Sequence, residues 1–239
     1  MSVKTPGKHL TAFLVLLLLV MLPIAFKSFG KNIEAVWGIK KTVKAQSNYS
    51  IFIDINENRL YLLKNCRQFK TYICATGTDE TPSPIGYFKI IKKSRWGEGF
   101  GGYYLGLNCP WGTYGIHGTT MPDSVGFDSS HGCFRMFNND IEELYGYVGV
   151  DTPIFITGGC YGVFGSNMRS IGPGMYGSDV MAVQKRLKQL GYYSGRCNGV
   201  YETAGFVTAV HKYQTGAGLP VSDYINKKMF AALGFVVME

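Results

Sequence analysis

The chain has 239 residues, 46% of them hydrophobic and 17% charged, with 31 glycines and a formal net charge of +8. That length allows one mid-sized domain plus a small one, and the glycine content favours a loop-rich β architecture over a helical bundle. The positive balance suits an acidic partner, such as an anionic envelope polymer or a membrane surface. No aromatic-basic RNA motif and no zinc-finger spacing appears, so no nucleic acid partner is predicted.

Leu10–Phe26 carries no charge and follows Lys4 and Lys8. It is near the lower length limit of a spanning helix and longer than most signal-peptide cores. Residues 1–30 are expected to form an N-terminal hydrophobic helix, retained as a membrane anchor or cleaved as a signal segment. The lysines that follow (Lys27, Lys31, Lys40, Lys41, Lys44) outnumber those before it, against the positive-inside tendency. Residues 31–48 are polar and lysine-rich and read as a stalk.

From Tyr49 the period becomes two: Ile51, Ile53 and Ile55 alternate with Ser50, Phe52 and Asp54. Asn56-Glu57-Asn58 signals a turn, and Arg59–Leu63 a returning strand. Phe69–Ala75 and Gly86–Lys92 read as two more strands. Between them, Pro82 and Pro84 keep the Thr81-Pro82-Ser83-Pro84 loop out of any ladder. Glycines crowd the stretch around Tyr103 and Tyr104. A short helix is expected from Asn138 or Asn139, with Glu142 and Glu143 in its first turn, and Thr152–Ile156 closes the domain as a strand.

Residues 160–177 are rich in Gly, Ser and Pro and read as a linker. The period then turns helical. Val180, Val183, Leu187 and Leu190 share a face, Ser178 or Asp179 caps the start, and Gly191 marks the end. Further helices are expected over Ala204–Gln214 and Lys227–Leu233. The predicted fold is a mainly β domain over 49–159, then a small all-α, three-helix domain over 178–236.

Chemistry concentrates in Ser130-His131-Gly132-Cys133 and in His117 upstream. A thiol is the side chain most readily made nucleophilic near neutral pH, and a nearby imidazole is the usual means. The pattern points to acyl transfer through a thioester. His117, His131 and Cys133 could instead be three zinc ligands, but no fourth ligand or activating Glu stands at the usual spacing, and no metal is predicted. His9 and His211 read as a membrane flank and a helix surface. The other cysteines (Cys66, Cys74, Cys109, Cys160, Cys197) form no Cys-x-x-Cys, and no disulfide is assigned.

Ile51-Phe52-Ile53-Asp54, Arg59-Leu60-Tyr61, the Thr81-Pro82 to Gly86 loop, His117-Gly118, Ser130-His131-Gly132-Cys133-Phe134-Arg135-Met136 and Val148-Gly149-Val150-Asp151-Thr152-Pro153 together resemble the L,D-transpeptidase catalytic domain, also called the YkuD domain. The resemblance implies a β-sandwich, with Cys133 as nucleophile and His117 as the residue that accepts and returns its proton. A backbone carbonyl, here that of Gly118, would orient His117. His131 would shape the site and its charge. The N–H groups of Gly132 and Cys133 are expected as an oxyanion hole, because a glycine allows close approach. Arg135 would clamp a substrate carboxylate, and Tyr103, Tyr104 and Trp111 would line the cleft.

The C-terminal segment resembles the peptidoglycan-binding domain of bacterial wall enzymes. Its carriers are Ser178-Asp179-Val180, Val183-Gln184-Lys185-Arg186-Leu187, Leu190-Gly191-Tyr192-Tyr193, Asn198-Gly199, Tyr213-Gln214, Gly218-Leu219 and Ala232-Leu233, in two related halves. Phe206 and Met229 depart from the pattern, which has Thr there, and Ser222-Asp223 replaces Asp-Gly. The two resemblances imply an envelope-tethered monomer acting on peptidoglycan stem peptides and glycan. It would need no cofactor and would touch the membrane through its N-terminal helix. The implied reaction is a 3→3 cross-link with release of D-alanine. An L,D-carboxypeptidase that trims stem tetrapeptides, and an inert wall-binding protein, remain open at this level.

Overall fold

The computed structural model describes residues 48–95, 97 and 100–235. The expected N-terminal helix and residues 31–47 of the expected stalk lie outside them. Among the described residues no helix is long and apolar enough to cross a membrane.

The isoleucine alternation builds β1 (Tyr49–Asp54), which turns through Asn56–Asn58 into β2 (Arg59–Lys64) and then β3 (Arg67–Ile73). There follow β4 (Thr76–Gly77), β5 (Gly86–Arg95), β6 (Tyr103–Leu107), β7 (Gly115–His117), β8 (Asp128–Ser130) and β9 (Phe134–Arg135). Helix α1 (Asn138–Tyr147) and β10 (Pro153–Thr157) complete this part. Eight strands form one sheet in the order β3-β2-β1-β10-β5-β6-β7-β9, and β4 pairs with β8.

The sheet curls because β5 is shared. Its Gly86–Lys89 half pairs with β10, and its Ile90–Arg95 half pairs with β6 across a register shift between Ile90 and Lys92. The expected sandwich therefore takes the form of one continuous sheet, bent at an irregularity in a long strand. Ile51, Ile53, Leu60, Leu62, Ile154 and Ile156 are each at most 1% exposed. Each contributes about 1.5–3 kcal/mol by leaving water. Ile141 and Leu144 of α1 join the same core. Only Asp140 among the acids lies in the first turn of α1; Glu142 and Glu143, expected there, fall further along.

The C-terminal part holds α2 (Ser178–Gln189), α3 (Phe206–Gly216) and α4 (Lys227–Ala232). Val180, Val183 and Leu187 are fully buried, but Leu190 lies past the end of α2 and is exposed. Neither Ser178 nor Asp179 caps α2. Gly177 holds the cap position, and both polar side chains are buried in the first turn, where they make tertiary bonds. The expected linker is part of the module: Met168 and Ile171 enter its core, and Ile171 and Tyr176 bridge to Ile225 and Val200.

The two halves of the module use one device twice. Buried Gln184 accepts from the Gly199 N–H (2.8 Å) and donates to the Val200 carbonyl (2.9 Å). Buried Gln214 accepts from the Ser222 N–H (2.9 Å) and donates to the Tyr224 carbonyl (3.1 Å). Each amide satisfies both backbone groups of the turn that follows its helix, as burial demands.

The module packs on the β domain. The Ile85 N–H donates to Ser178 Oγ at 2.7 Å, Ser166 Oγ donates to Asn56 Oδ1 at 3.1 Å, and Met181 and Val200 pack on the β core. A Cβ on Gly199 would lie 2.5 Å from the Trp111 ring.

Candidate active site

His117 ends β7, and β7 runs parallel to β9 with Ile116 opposite Phe134 and His117 opposite Arg135. On its other side β7 pairs with β6, where Tyr104 faces His117 and Leu105 faces Ile116. Alternation sorts these residues into two rows. Leu105, Ile116 and Phe134 lie in the core. Tyr104, His117 and Arg135 share the opposite face. Extending the β7–β9 ladder back by one residue brings Cys133 beside Gly115, whose backbone hydrogen-bonds the cysteine. Continued alternation would set Cys133 on the face of Arg135 and His117, although the sequence separates them.

His117 is 5% exposed. Its Nδ1 lies 2.6 Å from the Gly118 carbonyl oxygen. A carbonyl can only accept, so Nδ1 carries the proton and Nε2 keeps its lone pair. Phe100 packs edge-on against the imidazole at 4.9 Å, and Tyr104 lies stacked at 6.3 Å. Burial lowers the His117 pKa from its ordinary value, and the nearby Arg135 charge lowers it further; the Gly118 bond opposes both. Burial raises the Cys133 thiol, against a smaller downward pull from the Gly115 backbone bond and Arg135. Each shift favours the uncharged form of its own group, and the Gly118 bond leaves the imidazole one basic nitrogen.

The Ser130-to-Cys133 turn is closed by its own serine. Ser130 Oγ accepts from the Gly132 N–H at 3.0 Å and donates to the Cys133 carbonyl at 2.6 Å. The Gly132 N–H, expected to face a reacting oxygen, is thus committed inside the turn. Gly132 has φ +102°, and a Cβ there would sit 2.6 Å from the Tyr114 ring, so only glycine fits. Gly118 meets a similar limit from Gly101 and Asn138: a Cβ would lie 2.9 Å from Gly101 Cα.

Arg135 is half-buried, and its guanidinium donates to the Ser129 carbonyl at 3.3 Å. None of the ion pairs among the described residues engages it. His131 is exposed. Tyr104 is 4% exposed and donates to the Tyr114 carbonyl, so it forms a floor under His117 instead of a cleft wall. Tyr103 is not brought to the site: its hydroxyl donates to Glu142 and its ring packs on Tyr145, both on α1. Trp111 packs against Phe88 in the core. Among the described residues no group of His, Cys, Asp or Glu is arranged to hold a metal ion. None of the six cysteines is paired.

Two positions near the site escape a reading by sequence. Asn138 Oδ1 accepts from the Thr119 N–H at 2.9 Å and so fixes the turn after Gly118. Ser83 Oγ donates to the Gly132 carbonyl at 3.1 Å. Asn138 is visible in sequence only as a helix start, and Ser83 only as loop filler between prolines.

Residues 48–156 match the family model described as "L,D-transpeptidase catalytic domain", and residues 176–233 match "Putative peptidoglycan binding domain". The chain is 42% identical over 109 residues to "Putative L,D-transpeptidase YkuD" of Bacillus subtilis, covering 45% of this chain and 65% of that one. It is 40% identical over 110 residues to the protein of that name from Bacillus licheniformis, covering 46% and 66%. This chain thus spans slightly less than two thirds of these relatives' length. Among solved structures, an L,D-transpeptidase from Mycobacterium smegmatis aligns with a TM-score of 0.42 at 17% identity, over 46% of this chain and 58% of that one. The chain carries an L,D-transpeptidase catalytic domain over residues 48–156, followed by a peptidoglycan-binding domain over residues 176–233.

Proposed function

We propose that this protein is a peptidoglycan L,D-transpeptidase that forms 3→3 cross-links through Cys133. The thiol proton passes to His117 Nε2 as sulfur attacks the carbonyl of the diamino acid at the third stem position. The C–N bond to D-alanine breaks, and the leaving amine takes the proton back from His117. A side-chain amine of a neighbouring stem then attacks the thioester, His117 accepts its proton, and the thiol is regenerated. Neither metal nor ATP is needed, because the thioester keeps the energy of the cleaved bond. The Cys133 N–H serves the developing oxyanion, and Arg135, unpaired with any carboxylate among the described residues, receives a substrate carboxylate. The reaction takes place at the cell envelope, where the basic chain is retained by the anionic wall.

The observation that carries this reading is His117 Nδ1 bound to the Gly118 carbonyl, which leaves Nε2 basic on the face that Cys133 shares. The test is incubation of the purified protein with disaccharide-tetrapeptide muropeptides. Dimers joined through third residues should form, and Cys133→Ala should form none. Tripeptide monomers without dimers would instead make the protein an L,D-carboxypeptidase.

A further inference from the structure

The segment that follows β4 grips the nucleophile turn from behind. The Thr78 N–H and Thr81 Oγ1 both donate to the Ser130 carbonyl, each at 3.1 Å. Ser83 Oγ accepts from the Gly77 N–H at 2.9 Å and donates to the Gly132 carbonyl at 3.1 Å. Ser83 is 4% exposed, so its hydroxyl has no water to exchange for these partners. The approach is close: a Cβ on Gly77 would lie 2.9 Å from Gly132 Cα.

The far end of this arm is held by the other domain. Pro82 and Pro84 fix their own φ angles and restrict the residues before them, Thr81 and Ser83. The arm is therefore stiff from Thr81 to Ile85. At Ile85, 7% exposed, its N–H donates to Ser178 Oγ at 2.7 Å. Ser178 opens α2 and is 8% exposed. A cavity of about 100 Å³ lies along the arm, between it and Gly165–Asn167 and Gly177–Asp179. The arm is thus packed against the nucleophile turn on one side and borders this cavity on the other, with Ser178 among the groups that hold it.

We propose that Ser83 and Ser178 are positioning residues for Cys133, so that the peptidoglycan-binding domain holds the nucleophile turn of the catalytic domain in its reactive place. Ser178 fixes the arm at Ile85, and Ser83 at the other end fixes the carbonyl that precedes Cys133. The inference rests on the reading of Cys133 as nucleophile.

The test compares the full chain with Ser83→Ala and Ser178→Ala. In each, iodoacetamide alkylation is followed by peptide mass at Cys133 and, as an internal control, at exposed Cys66. Loss of a positioning bond frees the half-buried thiol from its place beside Gly115. Cys133 alkylation should accelerate at least about threefold in both variants, with Cys66 unchanged. In parallel, the limiting rate of acylation by a carbapenem should fall about tenfold, with its half-saturating concentration and its stoichiometry of one per chain unchanged. A merely structural role would lower the stoichiometry, not the limiting rate. Cys133 alkylation equal to wild type in either variant, or a matching change at Cys66, overturns the proposal. A wild-type chain that resists the carbapenem would sink the nucleophile reading alone, because the alkylation ratio still reports the position of the turn.

Discussion

One carbonyl oxygen, that of Gly118, decides which nitrogen of His117 is basic, and burial decides when. Because burial lowers the imidazole pKa, its neutral, proton-accepting form persists below the ordinary histidine value of about 6.5. Acylation by a carbapenem should therefore stay level as pH falls from 7.5 to 6.5 and decline only below. An acid limb centred at or above 6.5 would contradict this. The thiol shifts the other way, so in His117→Ala the reaction should be slower by about 100- to 10,000-fold and should recover only as pH rises past the ordinary thiol range. Cys133, His117 and Gly118 could be proposed from sequence because each sits in a short motif. Ser83 and Asn138 were not, because their partners stand 49 and 19 residues away along the chain. Tyr103 parts from its neighbour: Tyr104 points to His117, and one step of strand alternation sends Tyr103 to α1.

At the scale of elements, the proposed nucleophile depends on a turn that tolerates no side chain at its third position. Gly132→Ala meets both a φ of +102° and the Tyr114 ring at 2.6 Å. The strain costs about 1–3 kcal/mol, and relief requires the turn to shift. The variant should remain folded by circular dichroism yet lose about 100-fold or more in acylation rate, since displacement of a reacting group by about 1 Å has that effect. Wild-type rates would show that the turn is looser than its bonds imply. Elements differ in how far sequence reveals them. β1 and β2 alternate buried and less buried residues and can be read directly. β6 is buried continuously from Tyr104 to Leu107 and shows no alternation, as strands covered on both faces do. β4, β8 and β9 span two or three residues each, too few to display any period.

At the scale of the whole molecule, the stretch that reads as a linker, residues 160–177, contributes Met168 and Ile171 to the module's core, and the module packs on the β domain. The contact of Gly199 with Trp111 offers a direct test. Gly199→Val would drive a side chain into the ring from a position with φ +74°, at a cost of about 1–3 kcal/mol. Calorimetry should show one transition for the wild-type chain and two for the variant, the lower from the module. A single transition at the wild-type temperature would mean that the interface adds no cooperativity. The strand order carries a consequence of another kind. Among the described residues, β10 is the only strand joining the β3-β2-β1 half of the sheet to the β5-β6-β7-β9 half, and its parallel ladder with β1 sets Ile51 against Ile154. Such distant pairing slows folding. On the ribosome, the chain must carry two half-sheets with unfilled edges until Pro153–Thr157 is made. The catalytic domain is completed by nearly the last of its own residues, and a chain stopped short of them would present those edges to its neighbours.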